Sequence, residues 1–239
     1  MEKKVVLVTG ANKGIGKEAS KQLGKMGFKV FIGSRDLSRG QATAKELKAD
    51  GIDADAVQLD VTSQSSVDAA MATIEKSAGK LDVLVNNAGI VTERTTALDT
   101  TEIAKVEETM QTNFFGPLRV TKSAQALLEK SKAPRVVNVS STLGSLSTLS
   151  DPGSEFANFR ILGYTCSKAA LNMLTVVTAG AIKNVKVNSI CPGYVATDIN
   201  NNSGPRSVEQ GAAIIVKMAT LEEDGPTAGF FNDDGIIPW

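Results

Sequence analysis

The 239-residue sequence contains no histidine. That absence removes Ser-His-Asp and Cys-His nucleophilic schemes and nearly all zinc chemistry. Acid–base work then falls to Tyr, Lys, Asp, Glu or Cys, and there are only two tyrosines, Tyr164 and Tyr194. The two cysteines, Cys166 and Cys191, make neither a disulfide framework nor a metal site, so no metal is expected. An excess of charge is also lacking: 26 basic residues balance 26 acidic ones. Nothing in that balance attracts nucleic acid or an acidic membrane. No apolar run approaches the roughly 20 residues that span a bilayer. The opening residues MEKK lead straight into the first apolar run, with no room for a signal peptide. The expected setting is reducing and cytoplasmic, with neither membrane nor nucleic acid among the partners.

What is present is organised around Val5 to Gly16, VVLVTGANKGIG. Val5, Val6, Leu7 and Val8 read as a strand buried on both faces, because nothing polar interrupts them. A glycine-rich turn follows, and Lys17 to Met26 carries the Ala, Leu, Lys, Glu and Gln of a helix. Such a turn lets backbone N–H groups face an anion, with the positive end of the helix dipole behind them. The spacing is T-G-x-x-x-G-x-G rather than the common dinucleotide fingerprint G-x-G-x-x-G. Gly10 is expected to allow the sharp exit from the strand, Gly14 to let a pyrophosphate approach the backbone, and Gly16 to let the helix pack on the sheet. Taken alone, the turn equally fits an ordinary strand–helix loop.

Further strands are predicted at 29–33, 57–61, 81–85, 135–139, 185–190 and near 229–232. Helices are predicted at 39–50, 65–77, 103–130, 164–182 and 208–220. Gly116-Pro117 lies inside the long helix, where proline removes a backbone bond and predicts a kink near Asn113. Alternating strands and helices predict a single doubly wound α/β domain over 1–239, with a mostly parallel sheet of about seven strands and helices on both faces. In such sheets ligands sit beyond the carboxyl ends of the strands. Gly10 to Gly16, Arg35, Asp60, Asn87 to Gly89, Ser141 and Pro192-Gly193 all fall there and are expected to line one cleft.

Tyr164 and Lys168 stand four apart at the start of a predicted helix, one turn apart on one face. An ammonium there is expected to lower the phenol pKa, as is the positive charge of an oxidised nicotinamide. The pair then suits proton transfer in a hydroxyl–carbonyl interconversion. Y-x-x-x-K by itself also fits a surface helix pair.

Five motifs stand in order: T-G-A-N-K-G-I-G at Thr9–Gly16, N-N-A-G at Asn86–Gly89, N-V-S-S at Asn138–Ser141, Y-T-C-S-K at Tyr164–Lys168 and C-P-G at Cys191–Gly193. In order and spacing the chain resembles the short-chain dehydrogenase/reductases over nearly its whole length. It is most similar to their carbonyl reductase branch, through A-N-K, S-R-D-L-S-R-G and F-F-N-D-D-G-I-I-P-W. The resemblance implies a Rossmann fold and a catalytic set of Asn113, Ser141, Tyr164 and Lys168. Tyr164 would be the proton donor in reduction, Lys168 would hold the nicotinamide ribose, and Ser141 would bond the substrate oxygen. Asn113 would present a backbone carbonyl to a water that relays protons to Lys168. A loop-capping role for Ser141 and a helix-breaking core role for Asn113 are the plainer readings.

The resemblance also implies a cofactor site containing Gly10, Asn12, Lys13, Gly14, Ile15 and Gly16 in the turn. Asp60, on the adenine amino group, and Val61 follow, with Asn87, Ala88 and Gly89 lining the adenosine side. Tyr164, Lys168, Pro192 and Gly193 complete the site, with Val195 and Thr197 reaching the carboxamide. Ser34 stands where the family's NAD enzymes usually carry an acid, and Arg35, Arg39 and Lys13 surround it, which favours NADP(H) over NAD(H). Asp36 argues the other way, and the same charges equally fit a solvated cluster.

Loops at about 142–163 and 194–210 are expected to wall the substrate site, with Phe156, Phe159 and Leu162 as apolar surface. The first of these could obstruct the helix pair through which many family members dimerise, so monomer and homodimer both stay open. Cys166 and Cys191 are expected to be small packed thiols, and Trp239 to cover apolar surface. The expected function is NADPH-dependent reduction of a ketone, aldehyde or quinone. A catalytically silent NADP-binding regulator and an alcohol dehydrogenase running oxidatively are the alternatives.

Overall fold

The computed structural model describes residues 3–93, 97–159 and 161–239. Its strands are β1 (Val5–Thr9), β2 (Lys29–Ser34), β3 (Ala54–Gln58), β4 (Val83–Asn86), β5 (Arg135–Val139), β6 (Lys186–Ile190), β7 (Phe230–Asn232) and β8 (Gly235–Ile236). The helices are α1 (Gly14–Lys25), α2 (Leu37–Ala49), α3 (Gln64–Ala78), α4 (Ile103–Met110), α5 (Gly116–Leu128), α6 (Leu146–Ser150), α7 (Leu162–Ala181) and α8 (Val208–Ala219). The sheet order is β3-β2-β1-β4-β5-β6-β7-β8, parallel except for β8. An eighth, two-residue strand thus turns back on β7 beyond the seven expected.

Alternation along the strands divides the core in two. Val6, Val8, Val30, Ile32, Val83 and Val85 face α1, α2 and α8. Val5, Leu7, Phe31, Val57 and Leu84 face α3 and α5. Each such side chain, once fully buried, contributes roughly 1.5–3 kcal/mol. Four of the described helices start on local caps: Asp36 for α2, Ser63 for α3, Ser145 for α6 and Ser207 for α8. Helices α1 and α7 have no side-chain cap at their N-cap residues, Lys13 and Ile161.

One expectation needs correction. The third strand runs over Ala54–Gln58 rather than 57–61, so Asp60 and Val61 lie beyond its end. Leu59 and Val61 made the later register look like strand, but both are buried by packing from the turn. A Cβ on Gly116 would stand 2.9 Å from Val61 Cγ2, which shows how closely α5 seats on that side chain. The long helix does break at Asn113, in a π-helical turn (Gln111–Phe115) between α4 and α5. Pro117 lies in the first turn of α5, so the amide that would have bonded the Asn113 carbonyl is missing.

Candidate active site

The parallel strands deliver the predicted residues to one edge of the sheet. β1 leaves through Gly10, whose φ of +63° belongs to the left-handed region that favours glycine. Gly14 opens α1 at φ +56°, and a Cβ there would meet only Thr197 Cγ2, at 3.7 Å. The space beside that turn is open, and the first turn of α1 has neither a side-chain cap nor an acid. Gly16 seats the first turn of α1 against the end of β4: a Cβ there would lie 2.4 Å from the Asn87 amide nitrogen and 3.0 Å from the Gly10 carbonyl oxygen. That amide donates to the carbonyls of Thr9 (2.8 Å) and Gly10 (3.3 Å). The Thr9 hydroxyl accepts from the backbone N–H groups of Asn87 and Ala88, both at 3.0 Å. Asn87 therefore locks the glycine turn to β4. Asn12 is tied to α2 through its carbonyl, which accepts from Thr43 Oγ1, and Ile15 is half-buried against the core.

The charged residues near the end of β2 are unequal. Arg35 is exposed, and no acidic side chain among the described residues pairs with it. Arg39 lies 3.4 Å from Asp36, both largely exposed. Asp36 accepts from Ser38 Oγ and from the N–H groups of Ser38 and Arg39, which hold its carboxyl below the usual carboxylate range. Its carboxylate is committed to the start of α2. Lys13 Nζ reaches Asp198 at 2.6 Å, joining the glycine turn to the segment after β6. Asp60 Oδ1 accepts from Thr62 N and Oγ1, closing the turn after β3.

Helix α7 presents Tyr164 and Lys168 inside the fold. Lys168 is buried; its Nζ donates to the Val139 carbonyl at 2.7 Å and lies 5.5 Å from the Tyr164 ring centroid. The Ser141 side chain lies near enough to the Tyr164 phenol to favour its ionised form, and its oxygen accepts from Leu143 N, so it caps a turn as well. Gly144 seats that turn on α7: a Cβ there would lie 2.7 Å from the Lys168 carbonyl carbon. Asn113 is fully buried and clamps Ile90, accepting from its N–H and donating to its carbonyl, both at 2.9 Å. It also donates to Ser167 Oγ, and the position of a Gly89 Cβ would be 3.5 Å from Asn113 Oδ1 and 3.6 Å from Lys168 Nζ. Beneath these groups, a chain of buried hydrogen bonds through Thr121, Asn86, Asn138, Thr175 and Ser189 ties α5, β4, β5, α7 and β6 together. Sequence patterning gave no sign of it, because polar residues in a buried strand look like interruptions.

Burial pushes the Tyr164 phenol up to about 12, with Cys191 adding to the rise and Ser141 opposing it. The expected lowering by Lys168 is not what the protein alone produces: desolvation dominates, and the ammonium is held at Val139. Burial also brings Lys168 down to about 8, partly offset by Cys191. An unfolded lysine keeps its proton to about 10.4, so between pH 8 and that value the unfolded chain binds more protons. Stability of the cofactor-free protein should therefore rise with pH across this window, by up to about 3 kcal/mol from this residue. Tyr164 acts oppositely above pH 10, where an unfolded phenol ionises first. Denaturant unfolding of wild type and Lys168→Met between pH 7.5 and 10 measures the difference; parallel curves would remove the buried-ammonium assignment.

Tyr194 is exposed and pairs with Ser203 Oγ, whereas Tyr164 is half-buried at the start of α7. Cys166 is exposed rather than packed, whereas Cys191 is buried and its sulfur accepts from Thr142 Oγ1. Pro192 is buried at the end of β6, and Gly193 follows at φ +78° against Arg206. Val195 is buried, while Thr197 is half-buried with its methyl toward Gly14. A cavity of about 700 Å³ lies beside Cys191 and Gly193, between the turn at Thr142, Phe156, Arg206 and the C-terminal Pro238. Phe159 is exposed and does not line it, and Trp239 stacks on Phe230.

A family model described as short chain dehydrogenase matches residues 4–207. Short-chain dehydrogenase/reductase 1 of Saponaria officinalis is 33% identical, over 100% of this chain and 97% of its own length. (-)-Isopiperitenone reductase of Mentha piperita is also 33% identical, over 97% and 96%. Among solved structures, NADPH-bound carbonyl reductase from chicken fatty liver superposes with a TM-score of 0.87 at 28% identity, covering 100% of both chains. Salutaridine reductase from Papaver somniferum superposes at 0.85 with 30% identity, covering 97% of this chain and 100% of that one. Among the described residues, no helix is long and apolar enough to cross a membrane.

Proposed function

The chain belongs to the short-chain dehydrogenase/reductase family of oxidoreductases, and from that premise we propose that it reduces a ketone, aldehyde or quinone to the alcohol with NADPH. The observation that carries this reading is the meeting of Ser141, Tyr164 and Lys168 at the carboxyl edge of the sheet, beside an open glycine turn. The turn fits a dinucleotide: Gly14 leaves free space, and the first turn of α1 offers N–H groups that no side chain caps. Gly10, Gly14, Ile15 and Gly16 would hold the pyrophosphate, and Asp60 and Asn87 to Gly89 would flank the adenosine. Arg35, with Arg39 and Lys13, would hold a 2′-phosphate; Pro192, Gly193, Val195 and Thr197 would flank the nicotinamide. When bound, that cofactor supplies the hydride.

The chain supplies position and a proton. Ser141 would donate to the carbonyl oxygen and to the alkoxide forming from it. The Tyr164 phenol, held protonated by burial, would give that oxygen its proton. Lys168 would hold the ribose and ease the loss of the phenolic proton. Loops 142–163 and 194–210 would wall the carbonyl compound, the cavity at Cys191 and Gly193 being the room they leave. A cytoplasmic, reducing setting suits two cysteines that are both free.

The test is oxidation of NADPH and of NADH against a panel of ketones, aldehydes and quinones. Turnover with NADPH preferred supports the reading. Tight NADPH binding with no turnover would favour a silent binding protein.

A further inference from the structure

Helix α7 carries Tyr164 in its first turn and Lys168 in its second, yet Ile161 at its N-cap provides no side-chain acceptor. The acceptor comes from 70 residues away: a Glu93 carboxylate oxygen accepts from the Gly163 N–H. Glu93 is only 5% exposed. The carboxylate fits because residue 163 is glycine; a Cβ there would stand 2.9 Å from Glu93 Oε1 and 3.2 Å from Val106 Cα. Its other oxygen, Oε2, is buried and accepts no hydrogen bond among the described residues.

A cap chosen for stability alone would resemble those of α2, α3 and α8, which are local Asp or Ser residues. A buried carboxylate with one oxygen unbonded is a costly alternative, only partly offset by the helix dipole. Such a group is retained where geometry matters more than stability. The loop bearing it is held at each step. Asn87 bonds the glycine turn, Ile90 is clamped by Asn113, and Thr92 Oγ1 donates to the Lys105 carbonyl and meets Thr109 Oγ1 at 2.7 Å. Glu93 follows Thr92 in this run, and its bond lands one residue before Tyr164.

We propose that Glu93 is a positioning residue for the reaction: it fixes the first turn of α7 and thereby holds the Tyr164 phenol against Ser141. This rests on the reading of Tyr164 as proton donor. Without the carboxylate, the uncapped first turn frays, and a displacement of about 1 Å at a reacting group can lower the rate by about a hundredfold. Lys168, the α7 residue assigned to the ribose, lies a turn further in and is anchored to the Val139 carbonyl, and the rest of the dinucleotide site lies on other elements, so cofactor binding should change little.

In Glu93→Ala, kcat should fall at least tenfold, with KM for NADPH within twofold of wild type. Glu93→Gln, whose amide oxygen can still accept from Gly163, should recover most of the loss. A second readout needs no turnover. The chain has two tyrosines, so [13Cζ]tyrosine labelling gives two NMR signals, assigned with Tyr194→Phe. The Tyr164 signal should shift or split in Glu93→Ala and return in Glu93→Gln, while Tyr194 stays fixed. If Glu93→Ala does not fold, Gly163→Ala, which displaces the carboxylate, should reproduce both effects. An unmoved Tyr164 signal, or a kcat loss matched by an equal rise in KM for NADPH, overturns the proposal. A wild-type protein that turns over no carbonyl would sink the proposed function instead, leaving the NMR comparison to judge Glu93.

Discussion

Replacing Tyr164 with Phe should lower kcat for carbonyl reduction by about a thousandfold, within the range for loss of one general acid. The dissociation constant for NADPH should stay within about twofold, because the lost hydroxyl acts on the reacting oxygen rather than on the bound dinucleotide. The structural reason is local. The phenol lies beside Ser141 and burial pushes it up to about 12, so it carries its proton throughout the working pH range. The ring remains in place after the substitution, since only the oxygen is removed. Stopped-flow turnover and fluorescence titration with NADPH read the two quantities separately. Retained turnover would transfer the proton-donor role elsewhere, and Tyr194, exposed and bonded to Ser203, offers no replacement.

Arg35→Asp should have the second large effect, weakening NADPH binding by about ten- to a hundredfold while NADH binding holds or improves. That range corresponds to one charge-assisted hydrogen bond of roughly 1.5–3 kcal/mol. The three candidate cations are separated by their existing partners. Lys13 already reaches Asp198, and Arg39 lies beside Asp36, both as exposed pairs that solvent screens. Among the described residues, Arg35 has no acid to leave before it meets a phosphate. Asp36, the residue that argued against a phosphate here, is committed to the start of α2. Arg39→Ala and Lys13→Ala should therefore weaken NADPH binding less than Arg35→Asp. Equal affinities for NADPH before and after Arg35→Asp would move the selectivity to one of the other two.

The elements that sequence defines sharply are those in which one physical requirement dominates. β5 spans Arg135–Val139 in the sequence reading and in the structure alike, because a short apolar run bounded by proline and serine admits little else. The break at Asn113 follows from the missing amide of Pro117, although the π-helical turn that absorbs it does not. The sequence pattern places β3 too late because Leu59 and Val61 are buried for reasons of turn packing, and apolar character alone does not distinguish that from a strand. The motif residues Gly10 to Gly16, Ser141, Tyr164 and Lys168 were legible because their spacings are short and fixed by strand ends and helical turns.

Three features of the site were not legible. Glu93 is an acid in a polar stretch, and nothing nearby announces that it is buried against Gly163. The Lys13–Asp198 pair joins segments 185 residues apart. The upward displacement of the Tyr164 pKa depends on desolvation, a property of the assembled fold, whereas the i, i+4 lysine seen in sequence suggested the opposite direction.

The central claim is that a hydride from a reduced nicotinamide reaches a carbonyl carbon while this chain's phenol protonates the oxygen. Its most direct measurement is the fate of the label when the best substrate of the carbonyl panel is incubated with NADPH deuterated at the transferable position. One deuterium should appear on the carbinol carbon of the alcohol, bound to carbon and stable to exchange with water. An alcohol without that deuterium, or a protein that binds the labelled cofactor and leaves every carbonyl untouched, would contradict the account.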